Sequence, residues 1–133
     1  MVRSVSLGDI PDAAKPGEIV WRPVRHHLGI HAFGINAWTA REKGDEVIEE
    51  HVETRDSPTR HEELYFVTSG RATFTVDGEE VDAPAGTFVF VPDPESKRAA
   101  VAVEKGTTVL AMGAAPGEAY TVSEWERRHF PEG

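Results

Sequence analysis

A chain of 133 residues and 14.6 kDa has the usual size of one folded unit, and its composition, 39% hydrophobic and 28% charged, excludes a largely disordered polymer. The excess of 23 acidic over 14 basic residues leaves a net charge of -9, which argues against nucleic acid and anionic membrane surfaces as partners. With no cysteine there is no disulfide, thiolate nucleophile or sulfur-held metal, so any metal must be bound by histidine and carboxylate.

Residues 1–18 read as an irregular arm, broken by Gly8, Pro11, Pro16 and Gly17, with room for one short strand. Three or four strands are expected next: Ile19-Val20-Trp21 up to Pro23, the stretch Val24 to Ala40 interrupted by Gly29 and Gly34, and Glu46 to Thr54. After the polar stretch Thr54 to Arg60, with Ser57-Pro58 as a turn signal, Leu64-Tyr65-Phe66-Val67 predicts a buried strand. Ala72, Phe74 and Val76 alternate with Arg71, Thr73 and Thr75, and Asp77-Gly78 then supplies a tight hairpin turn. Further strands are expected at Thr87 to Val91, at Ala99 to Val103 beyond Pro92-Asp93-Pro94, and at Thr107 to Met112 after Lys105-Gly106. This spacing predicts an all-β sandwich or barrel over 19–122. One short helix is expected in 123–133, with Ser123 as cap, Glu126 at the capping-box position and Pro131 forbidding extension. The longest apolar run, Ala99 to Val103, is far short of the roughly 18 residues of a spanning helix, and Met1 to Pro11 lacks an apolar signal core, so a cytoplasmic location is expected.

The residues that carry chemistry are gathered between Gly44 and Gly70. In an extended chain, side chains two apart share a face, which pairs His51 with Glu53 and aligns His61, Glu63 and Tyr65. Imidazole and carboxylate together suit zinc, iron, manganese or nickel. Glu49, Glu50 and Glu62 read as solvated, and so does His129, while His26, His27 and His31 have no acid among them and read as structural, with His27 and His31 on one strand face. Trp21, Phe33, Trp38, Phe66, Phe74, Phe88 and Phe90 read as core filling; the Tyr65 hydroxyl shares the parity of Glu63 and could reach a cavity. No glycine-rich segment has a phosphate-cradling form, so nucleotide binding has no support.

From Gly44 to about Gly113 the chain resembles the cupin superfamily. Glu63 to Gly70 matches the E-x6-G end of its first motif, Gly86 to Pro92 matches the G-x5-P start of its second, and the fifteen residues between Gly70 and Gly86 hold the hairpin of the shortest members. The resemblance implies a single-domain jelly-roll β-barrel with an N-terminal arm and a short C-terminal helix. It also implies a small-molecule ligand and a homodimer, for which an arm adding a strand to a neighbour's edge would be one route. Departures are equally plain. Glu53 stands in place of the second motif histidine, nine residues separate it from Glu63, Pro94 replaces a glycine, Lys97 falls where the last metal-binding histidine belongs, and Val101 replaces an asparagine.

Two arrangements remain open. In one, His51, His61 and Glu63, with or without Glu53, hold a divalent metal in a pocket that Tyr65 also lines, the metal serving as Lewis acid or oxygen activator of an enzyme whose reaction the sequence does not name. In the other, Lys97 or Arg98 enters the barrel in place of the cation, giving a metal-free binding or sensing pocket. A cavity filled by Phe74, Phe88 and Phe90 would instead leave an interaction scaffold.

Overall fold

A computed structural model describes residues 1–54 and 60–131, so the Ser57-Pro58 turn signal lies outside the described residues. Among those residues a 3-10 turn (Leu7–Asp9) is followed by β1 (Val20–Arg22), α1 (Val24–Leu28), β2 (Gly34–Thr39), β3 (Glu46–His51) and β4 (Glu62–Ser69). Then come β5 (Arg71–Val76), β6 (Glu79–Pro84), β7 (Phe88–Val91), β8 (Arg98–Ala102), β9 (Thr108–Ala114) and α2 (Glu124–His129). The strands build two antiparallel sheets, ordered β1-β2-β9-β4-β7 and β3-β8-β5-β6. The chain crosses between sheets at most connections, which is the jelly-roll architecture that the resemblance implied.

Alternation of side chains produces the core. Tyr65 and Val67 on β4, Ala72 and Phe74 on β5, Val89 and Val91 on β7, and Ala100 and Ala102 on β8 are buried between the sheets. The expected hairpin joins β5 to β6 through Asp77 and Gly78, both at positive φ (49° and 85°), as a two-residue primed turn requires. Gly70, at φ 74°, faces buried Thr107: a Cβ there would stand 2.7 Å from the Thr107 Cα. Thr107 ties the adjoining loops together, its Oγ1 donating to the Glu104 carbonyl (2.7 Å) and accepting from the Arg71 N–H (3.2 Å).

Four expectations need correction. Phe33, Phe88 and Phe90 are not core filling but 42%, 62% and 55% exposed, the last two because Val89 and Val91 take the inward parity of β7. Phe88 and Phe90 lie on the outer face of the five-stranded sheet, in register with Phe66 and Leu64, which in turn face Leu110 and Met112. A cavity filled by these rings is therefore excluded. The stretch Val24 to Leu28 is a helix, begun after Pro23 and ended by Gly29 in the left-handed conformation, whose N–H bonds the Arg25 carbonyl (2.9 Å); His27 and His31 consequently share no strand face. Ser123 makes no side-chain cap, and Glu126 is buried against Arg25, its Oε2 2.6 Å from the guanidinium Nε. The arm forms no strand and folds onto its own sheet: Ala13 N–H donates to the Trp21 carbonyl (2.8 Å) and Arg22 to that of Ile10 (2.5 Å).

Helix α2 is seated by aromatic rings as well as by Glu126. Trp125 packs on Trp21 and Trp38 (ring centroids 5.1 and 5.9 Å), and exposed His129 turns one ring edge to Trp21. Among the described residues no helix is long and apolar enough to cross a membrane.

Candidate functional site

At one end of the barrel the inner row of the five-stranded sheet runs Gly34, Gly113, Glu63, Val91. The glycines make room: a Cβ on Gly113 would press to 3.2 Å from the Glu63 Cγ. On the facing sheet, β3 is bulged, with consecutive Val47 and Ile48 both buried and the register against β8 shifted twice before His51 meets Arg98. These bulges reset the strand's parity and aim His51 at Glu63.

The result is a compact charged cluster. His51 Nε2 lies 2.9 Å from Glu53 Oε2 and 3.4 Å from Glu63 Oε1, while its Nδ1 is 2.7 Å from the Glu49 carbonyl. Glu53 joins from beyond the end of β3, held by its N–H on the Pro94 carbonyl (2.8 Å). The Tyr65 hydroxyl donates to Glu63 Oε1. Arg98, fully buried, places Nη1 2.9 Å from that same oxygen and donates from Nε and Nη2 to the carbonyls of Ser96 and Asp93, both at 2.9 Å. Lys97 is the correction here: it does not line the pocket but is exposed, its backbone N–H donating to Asp77 Oδ1 (2.9 Å).

Charge follows from these contacts. Burial alone would lower His51, but its hydrogen bonds to Glu53 and Glu63 outweigh that and raise it to about 10, so it is an imidazolium at neutral pH. Burial likewise opposes ionisation of Glu63, yet hydrogen bonds from His51 and Tyr65, with the charges of His51 and Arg98, hold it below the usual carboxylate range. Burial and the neighbouring Glu63 keep Tyr65 protonated far above its ordinary value. His61 behaves differently. Burial lowers it, and Glu53 and Glu63 only partly compensate, leaving a neutral ring.

Of the four candidate metal ligands, His51, Glu53 and Glu63 bring ligand atoms within 4.8 Å of one another; His61 is not among them. The residue types and their spacing suit a divalent ion, with which the Arg98 guanidinium competes for Glu63. Glu63 Oε1 already takes the Tyr65 and Arg98 donors, and two carboxylates are balanced by two side-chain cations, one of them a buried guanidinium that cannot lose its proton.

One neighbour was not legible as a site residue. Tyr120, between β9 and α2, stacks on His61 with centroids 5.2 Å apart and 25° between planes. Burial, then the charge of Glu126, pushes it up to about 12, Glu53 and Glu63 adding to the rise.

A family profile described as the cupin domain matches residues 44–113, slightly more than half of the chain. No curated protein matches it. Among solved structures, an RmlC-like cupin from Desulfovibrio desulfuricans is similar at 22% identity and TM-score 0.65, over 86% of this chain and 97% of that one. A cupin protein from Bacteroides fragilis is similar at 21% identity and TM-score 0.60, over 87% and 94%. A Thermotoga maritima protein described as a predicted oxalate decarboxylase shares 15% identity at TM-score 0.66, over 84% and 98%. At these identities the likeness is one of fold.

Proposed function

The chain belongs to the cupin family, and from that premise we propose that the mouth of its barrel binds a small molecule at a site whose charge is set by Arg98 and His51 in place of a divalent metal. The observation that carries this reading is the Arg98–Glu63 pair: a guanidinium with no exposed surface, 2.9 Å from the carboxylate of the E-x6-G motif. His51, with about a third of its side chain open to solvent, is the cluster member that an incoming ligand meets first. The test is elemental analysis of untagged protein after incubation with zinc, iron, manganese and nickel, alongside NMR of the His51 imidazole during titration with small carboxylates, amines and polyols. The expected result is no stoichiometric metal and a saturable shift of His51. Stoichiometric metal lost in both His51→Ala and Glu63→Ala would sink the metal-free reading.

The same chain is proposed to pair with a second copy of itself through the outer face of β4, β7 and β9. Two molecules of charge -9 repel unless they meet on neutral ground. Leu64, Phe66, Phe88, Phe90, Leu110 and Met112 form such ground in adjacent register. Large exposed rings clustered on one face are uncommon on monomers and support an isologous contact.

A further inference from the structure

Beside the charged cluster, two polar groups have no hydrogen-bond partner among the described residues. His61 is only 5% exposed, yet its Nδ1 is 3.8 Å from Glu53 Oε1, beyond hydrogen-bond reach. Tyr120, half-buried, covers the His61 ring, and its hydroxyl is lodged against Gly34, where a Cβ would come within 2.6 Å of it. A polar ring as buried as His61 is rarely left unsatisfied in a native protein.

We infer that His61 and Tyr120 form a second subsite at the barrel mouth, which takes a hydroxyl-bearing, electrically neutral part of the ligand, as in a polyol. This rests on the reading that the mouth binds a small molecule. The class follows from the donors and acceptors available. The Tyr120 phenol offers one donor and one acceptor, and the buried His61 ring has a nitrogen 3.8 Å from the nearest carboxylate and bonded to none, which together complement an alcohol. An anion placed here would meet Glu53, and a cation would find that carboxylate already engaged by His51 at 2.9 Å. Nothing in the motif spacing pointed to Tyr120, since it reaches the site from the segment after β9.

The experiment is NMR of the histidine imidazole and tyrosine ring signals during separate titrations with ribitol, succinate and putrescine, in wild type and in Tyr120→Phe. The phenylalanine keeps the stacked ring and removes only the hydroxyl, and a His61→Phe variant serves as a second probe. Ribitol is expected to shift His61 and Tyr120 saturably, with an apparent Kd about three- to tenfold weaker in Tyr120→Phe, the loss typical of one neutral hydrogen bond. Succinate or putrescine shifting these two rings where ribitol does not would overturn the ligand class. Equal ribitol affinity in wild type and both variants would overturn the subsite. If His51 responds to a probe while His61 and Tyr120 stay silent, the subsite falls and the binding reading stands; if no probe moves any of the three, both fall.

Discussion

Arg98 on β8 and Glu63 on β4 face each other across the barrel, from opposite sheets, with 2.9 Å between Nη1 and Oε1. Arg98→Met is therefore expected to strand a carboxylate away from solvent and lower stability by about 3–5 kcal/mol, whereas the double variant Arg98→Met/Glu63→Gln recovers most of that loss. Urea unfolding of the wild type, both single variants and the double variant measures the coupling. Strictly additive losses would mean that the two side chains do not act as a pair.

The imidazolium at His51 gives stability a defined dependence on pH. Its folded value, about 10, lies above its ordinary 6.5, so its contribution is complete below about 6.5 and is lost as pH climbs through about 10. Glu63 is shifted the other way, so its contribution is present above about 4.5 and fades as pH falls through its lowered folded value. The urea midpoint should decline from near neutrality toward pH 10, and His51→Gln should flatten that alkaline limb. A wild-type midpoint constant from pH 6.5 to 10 would rule out the charged ring.

Gly70→Ala tests the packing of the β4–β5 turn. The substitution combines a left-handed backbone with a collision against the Thr107 backbone, and a loss of roughly 2–4 kcal/mol is expected by thermal or urea unfolding. Gly78→Ala, at a turn where the added Cβ meets nothing within 4 Å, isolates the backbone cost and should lose less.

For the outer sheet face, Phe88→Glu or Phe90→Glu is expected to leave the fold intact and to convert a dimer into a monomer in analytical ultracentrifugation. Both side chains project away from the core, so stability of the monomer should change by less than about 1 kcal/mol. A wild type that sediments as a monomer at all concentrations would remove the proposed contact.

Helix α2 should detach when its buried anchor is cut. Glu126→Gln is expected to increase cleavage by protease within residues 115–131 and to alter the fluorescence of Trp125 packed on Trp21, while the far-ultraviolet signal of the strands persists. Unchanged protease resistance would show that the aromatic contacts alone seat the helix.

The β5–β6 hairpin was legible because its alternation and its Asp77-Gly78 turn agree. Strand β7 was legible in position but not in facing, since Phe88-Val89-Phe90-Val91 is apolar at both parities and the pleat alone decides which pair enters. Ala99 to Val103 hid the facing of β8 in the same way. With Ala100 and Ala102 inward, Arg98, one residue past the motif's histidine position, must be inward, and Lys97, which holds that position, cannot be. His51 came to Glu63 for a reason that spacing does not encode, two bulges within β3. Five helical residues between Pro23 and Gly29 are too few to show a period. Glu126 satisfied a capping pattern in sequence, but its partner lies 101 positions upstream and only the tertiary fold introduces them.

That distance along the chain shapes how the molecule is made. During synthesis, the carboxylate that Arg25 will meet inside the folded protein is translated 101 codons after it. Closure of the α1–α2 contact, and with it the seating of the segment that carries Tyr120, thus has to wait until the strands between the two helices have been made, which places it late in the folding of this unit.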